Sequence, residues 1–166
     1  MVRDDETRPD AHDLIGSAAM SRLAIDAPTL LHILAADLTL NQKHQLVAPS
    51  VIRSHVLDLM LGTVARGEMS EKVALHLLNR MTETKMRLLG DRVSRGTAWE
   101  IARENGWDTT REAEYIAVAK LQADALVTID PTMKALAKGL VPLAPLQLLT
   151  GNGDVPEGPT RPDRAS

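Results

Sequence analysis

Cysteine and phenylalanine are absent from the 166 residues, and aromatic side chains make up only 2% of them. Without cysteine, neither a disulfide framework nor a thiolate metal site can form, so any metal must be held by oxygen or imidazole. Such ligands favour hard cations of the Mg²⁺ or Mn²⁺ kind over a structural zinc. The aromatics are Trp99, Trp107 and Tyr115, too few for a protein that grips single strands by stacking many successive bases. No apolar run approaches the roughly 20 residues that span a bilayer, and no signal-peptide pattern opens the chain. The expected compartment is therefore the cytoplasm. A strong charge of one sign is missing too. The net charge is −3, with −3 in residues 1–19, −1 in residues 152–166 and +1 between them. A near-neutral centre leaves nucleic-acid binding to local basic clusters or to bound metal.

What is present reads as one domain between two polar ends. Apolar residues at 44% and charged residues at 25% are ordinary for a globular protein. Residues 1–20 read as a flexible acidic leader, with Met20 as a true start or the edge of an added extension. Residues 150–166, rich in glycine and proline, read as a disordered tail. Between them, 21–149 alternate strand and helix. Strands are expected at Arg22–Ile25, Gln45–Ala48, Lys85–Leu89, Ala125–Ile129 and Val141–Ala144. Helices are expected after Pro28, from Pro49-Ser50 to Gly67, after Ser70, over Arg92–Glu104, over Arg111–Leu121 and over Pro131–Lys138. This alternation predicts a three-layer α/β/α domain around a parallel sheet of about five strands.

Two of those strands end on a carboxylate: Ile25-Asp26 and Ile129-Asp130. In parallel sheets the binding crevice lies outside the carboxyl ends of the strands, where strand order reverses. Glu112, in the first turn of the helix leading to the Asp130 strand, is the third acid expected there. Three such carboxylates can hold one or two divalent ions, which activate water and clamp a phosphodiester. Each has a plainer role open to it. Asp130 before Pro131 makes a good N-cap. Thr109 and Glu112 fit a capping box. Asp26 is followed by Ala27 and not directly by a helix, so a buried carboxylate there needs other partners. Glu114 lies about 200° around the helix from Glu112 and cannot share its pocket. Asp91, after Gly90, reads as a cap.

The blocks Leu23-Ala24-Ile25-Asp26-Ala27, Ala48-Pro49-Ser50-Val51-Ile52-Arg53, Glu112-Ala113-Glu114-Tyr115-Ile116-Ala117-Val118-Ala119 and Leu126-Val127-Thr128-Ile129-Asp130 resemble the successive motifs of PIN domains. The likeness is to VapC-type toxins of bacterial toxin–antitoxin pairs, and it covers about Ser21 to Leu149. It implies a PIN-like fold and a Mg²⁺- or Mn²⁺-dependent ribonuclease, usually homodimeric, held inactive by a VapB-like antitoxin. Asp26 matches the first acid of the family and Asp130 the acid of its T-x-D block. Glu112 stands where aspartate is usual, and its extra methylene shifts the ligand position. The larger departure is His55, where the family pattern has glutamate. A neutral imidazole can ligate Mn²⁺ or Zn²⁺ but suits Mg²⁺ poorly. Asp58, three residues on, is the nearest acid on that helix face.

The resulting expectation is an endoribonuclease with Asp26, Glu112 and Asp130 on the metal and His55 as a variant ligand or proton-transfer group. Arg53, Arg111 and Lys134 are candidates for RNA phosphates. A second reading is a weakened PIN domain that binds RNA or a protein without cutting. A third, a phosphoacceptor receiver-like domain, wants an acidic pair after strand one and a lysine after the last strand, and the chain has neither. Leu57, Leu61, Leu75 and Leu78 can form a partner groove, or serve as core.

Overall fold

The structure, a computed structural model, describes residues 21–150. The leader expected over 1–20 and, apart from residue 150, the tail expected over 150–166 lie outside the described residues. The elements run β1 (Arg22–Ile25), α1 (Ala27–Ala35), β2 (Gln45–Pro49), α2 (Ile52–Ala65), α3 (Glu71–Glu83), β3 (Arg87–Leu89), α4 (Arg92–Glu104), α5 (Arg111–Gln122), β4 (Ala125–Val127), α6 (Pro131–Ala137), β5 (Leu143–Ala144) and α7 (Leu146–Leu149).

All five strands are parallel, in the order β3-β2-β1-β4-β5. The chain starts in the middle, steps outward to β3, then crosses back to lay β4 against the other side of β1. The order therefore reverses between β1 and β4, and a crevice opens at their carboxyl ends. Leu23, Ile25, Leu126 and Val127 are fully buried, as strands covered on both faces must be. Helices α1, α2 and α3 pack with one another, while α4 packs on α5, which lies on β1, β2 and β4. Helix α5 buries Ala113, Tyr115, Ile116, Ala117, Val118 and Ala119, a nearly continuous run whose small side chains let it sit close to the sheet. This is the expected three-layer α/β/α, PIN-like architecture.

Boundaries moved where side chains took over from the ladder. Strand β4 stops at Val127, two residues early, because the next backbone groups bond to threonine hydroxyls. Pro49 stays in β2, and a turn at residues 50–51 precedes α2. The short α7 was not anticipated. Leu57, Leu61 and Leu75 are exposed, so the core role open to them is overturned; α2 and α3 turn these leucines outward, and only Leu78 packs partly against the core. No helix among the described residues is long and apolar enough to cross a membrane.

After α6 the chain turns at Gly139 with φ +81°, and a Cβ built there meets no atom within 4 Å. Gly139→Ala is thus opposed by backbone strain rather than by a clash. It is expected to cost about 1–2 kcal/mol, read as a lower urea midpoint at unchanged slope.

Candidate functional site

The register Ile25↔Val127 sets Asp26 abreast of Thr128 at the carboxyl edge of the β1–β4 pair. Asp26 is 1% exposed. Contrary to expectation it leads directly into a helix: α1 begins at Ala27, with Asp26 as its N-cap. Its Oδ1 accepts from the Thr29 amide at 3.2 Å and from the Thr29 hydroxyl. Its Oδ2 accepts from the Thr128 hydroxyl at 2.6 Å. Burial nevertheless raises its pKa; the Thr128 and Thr29 hydrogen bonds oppose the shift, and the charge of Asp130 adds to it.

Asp130 caps α6, its Oδ1 accepting from the Thr132 amide at 2.9 Å. Its own amide donates to the Thr128 hydroxyl at 3.0 Å, so Thr128 links the two aspartates. The Thr29 hydroxyl makes the matching bridge on the other side, accepting from the Ile129 amide at 3.1 Å. Two hydroxyls thus bind the end of β1 to the turn after β4, and neither aspartate can drift from the other. Oδ2 of Asp130 accepts no hydrogen bond among the described residues, so capping leaves it one oxygen for a ligand.

Glu112 does not form the capping box. Helix α5 is capped by Thr110, whose backbone is not extended and whose side chain makes no capping bond. Glu112 has no hydrogen-bonded partner among the described residues. It faces a cleft of about 150 Å³ lined also by Asp26, His55, Arg111, Tyr115 and Asp130. The structure therefore brings Asp26, Glu112, Asp130, His55 and Arg111 to one cleft. Arg53 and Lys134 are exposed and do not line it. Asp58 lines a separate groove with Leu31 and Arg66. Glu114 faces away, sharing a small pocket with Arg95, as its position around the helix required.

His55 is held from behind. Its Nδ1 lies 2.6 Å from the hydroxyl of Tyr115, whose ring is buried. Burial, the nearby Asp26 next, pushes the Tyr115 pKa upward, so the hydroxyl keeps its proton. Burial, then the charge of Arg111, lowers that of His55, favouring neutral imidazole. This contact occupies Nδ1 and leaves Nε2 as the ring nitrogen without a partner among the described residues. Tyr115→Phe is expected to lower stability by about 1 kcal/mol, measurable as a shift in the denaturation midpoint.

The donor set fits a hard divalent cation: carboxylate oxygens with a single guanidinium nearby, one carboxylate buried at a cost. Among the described residues, however, no three histidine, aspartate or glutamate side chains are already gathered around one metal position. Glu112 is half-buried and has no hydrogen-bonded partner among the described residues.

Sequence reasoning missed the roles of Thr29, Thr128 and Tyr115. A threonine two residues before Asp130 and one three residues after Asp26 were the available signals. The Tyr115–His55 contact spans 60 residues and had none.

No family model and no curated protein matches the sequence. Among solved structures, the chain is similar to PAE2754 from Pyrobaculum aerophilum, with a TM-score of 0.57 and 19% identity over 77% of this chain and 92% of that one. It is also similar to VapBC2 from Rickettsia felis, solved bound to a DNA fragment from its promoter, with a TM-score of 0.50 and 9% identity over 75% and 98%. At these identities the likeness is one of fold.

Proposed function

We propose that the protein is a metal-dependent endoribonuclease of the PIN, VapC-like kind. The observation that carries this is the meeting of Asp26, Glu112 and Asp130, with Arg111 beside them, at the switch point of an all-parallel sheet. A buried carboxylate whose pKa is raised, set in a cleft, marks a candidate functional site. The fold likeness to VapBC2 supports the same reading.

Asp26 and Asp130, held together by Thr29 and Thr128, would bind Mg²⁺ or Mn²⁺, with Glu112 as third ligand. A divalent ion there polarises a phosphoryl oxygen and lowers the pKa of water. The chain supplies the remainder. Arg111 holds the substrate phosphate by charge-assisted hydrogen bonds. His55, oriented by Tyr115, would present Nε2 to the cleft for proton transfer with an oxygen of the cleaved bond. Lining by Tyr115 and Met133 limits water on the inner side.

A second reading, a weakened PIN domain that binds without cutting, draws on two observations. His55 replaces a fourth carboxylate, and its Nδ1 is engaged by Tyr115. A VapB-like antitoxin on the exposed Leu57, Leu61 and Leu75, homodimer formation and a cytoplasmic location belong to the same proposal.

The test uses purified protein and end-labelled single-stranded RNA with EDTA, Mg²⁺ or Mn²⁺. Cleavage is expected with metal only, stronger with Mn²⁺, and reduced roughly a hundredfold or more in Asp130→Asn. Equal turnover by wild type and Asp130→Asn sinks the nuclease reading. RNA binding without cleavage in any metal selects the second.

A further inference from the structure

We propose that the outer face of α4 is a docking track for single-stranded RNA leading to the acidic cleft; this rests on the ribonuclease reading above. Arg92, Arg95, Trp99 and Arg103 are spaced by three, four and four residues and so share one stripe. All four are exposed, and Trp99 shows 64% of its surface. The helix is held to the protein by Ser94, Ala98, Ile101 and Ala102, which are buried and centre about 120° around the helix from the stripe. Trp99 is therefore not needed to anchor α4. The ion pairs among the described residues are Arg66–Glu68 and Arg80–Asp37; none involves the stripe. Arg95 feels Asp91 and Glu114, whereas Glu100 and Glu104 occupy the neighbouring side of the helix.

Position ties the stripe to the site. Helix α4 starts just after β3, at the same carboxyl edge as Asp26 and Asp130, capped by Asp91. Arg95 shares a pocket with Glu114 on the side of α5 turned away from the cleft, while Arg111 and Glu112 of the same turn line the cleft itself. The stripe runs about 16 Å along α4, from Arg92 at the carboxyl edge to Arg103 at the far end of the helix.

The chemistry selects the occupant. Three guanidiniums call for an anionic chain, and an exposed indole between them offers a face to an unpaired base. A duplex hides its base faces. A second copy fits poorly: a two-fold antiparallel contact centred on Trp99 sets Arg95 of one copy against Arg103 of the other, since both lie four residues from Trp99. One aromatic suffices, because charge supplies most of the affinity and the indole fixes a single base.

Binding is measured in metal-free Asp26→Asn protein, so that it is separate from cleavage, with Trp107→Phe leaving Trp99 as the sole reporter. Single-stranded RNA is expected to quench Trp99 emission. Read by retention of end-labelled RNA on filters, which needs no tryptophan, Trp99→Ala should weaken binding roughly tenfold, with rescue by Trp99→Phe. Replacing Arg92, Arg95 and Arg103 by Gln should flatten the dependence of log affinity on log salt by about 2, and Lys at the three positions should restore it. Unchanged affinity and slope in the Gln and Ala variants overturn the track, as does equal quenching by duplex RNA. A change of oligomeric state in those variants, with RNA affinity intact, assigns the face to self-association and also overturns it. Failure of wild-type cleavage with binding retained strikes the nuclease reading alone.

Discussion

Asp26→Asn is expected to melt higher than the wild type without metal while cleaving RNA at least about a thousandfold more slowly. On the proposed function, the loss follows from removing a metal ligand whose two oxygens are already oriented by Thr29 and Thr128. The gain follows from burial, the largest influence on its pKa. The sign can be worked through. A carboxyl whose folded pKa is raised above 3.8 binds its proton more tightly in the folded state than in the unfolded chain. Its contribution to stability is complete below the unfolded value and is lost as pH rises through the folded one. Above that, the wild type carries the whole cost of a buried charge and the amide carries none. The melting difference should therefore be small near pH 4, grow with pH and level off. Each kcal/mol released raises the melting temperature by roughly 3–5 °C in a domain of this size. Adding Mn²⁺ should reverse the order, stabilising the wild type by about 2.7 kcal/mol at a hundred times its dissociation constant. An amide that melts lower at every pH, or a metal response equal in both proteins, refutes this account of Asp26.

Introducing a fourth carboxylate into the cleft is the second large effect. His55→Glu should lower metal-free stability and raise Mg²⁺ affinity at least tenfold, with Mg²⁺-supported cleavage rising about ten- to a hundredfold. His55 already lines the cleft with Asp26, Glu112 and Asp130, so a fourth negative charge meets three others when no cation is present. Two unit charges about 6 Å apart interact by roughly 3 kcal/mol at an effective dielectric of 20. The same charge then attracts a divalent ion that imidazole holds weakly. Tyr115 would donate to the new carboxylate in place of its present hydrogen bond with Nδ1, so the side chain keeps its anchor. Calorimetric Mg²⁺ titration and the labelled-RNA assay read the outcome. No gain in Mg²⁺ affinity removes this position from the metal site. A gain in affinity without cleavage supports the binding-module reading.

Much of this site was legible because strand ends are written locally. Arg22–Ile25 and Ala125–Ile129 are β-prone runs that stop at aspartate, and a parallel sheet directs such residues into its crevice. Helix α4 was bounded in advance over Arg92–Glu104, since Asp91 and Asn105-Gly106 punctuate it. The capping box at Thr109 was legible and absent. Its pattern needs an extended cap residue, whereas the helix takes Thr110, with φ −97° and ψ 4°, as its cap. Nothing in the residue pattern announces that backbone choice.

By itself the sequence determined the alternation of strand and helix, the two aspartates at strand ends and the absence of thiolate chemistry. These depend on residue type and short-range spacing. The tertiary structure alone decided that β4 lies beside β1, which puts Asp26 and Asp130 on either side of one reversal in strand order. It also decided that Thr29 and Thr128 clamp them, that Tyr115 takes Nδ1 of His55, and that Trp99 stays outside among arginines. Those facts rest on contacts between residues 60 to 102 positions apart and on which side of a helix meets the core. Local propensity carries no record of either, because both are set only when the layers pack.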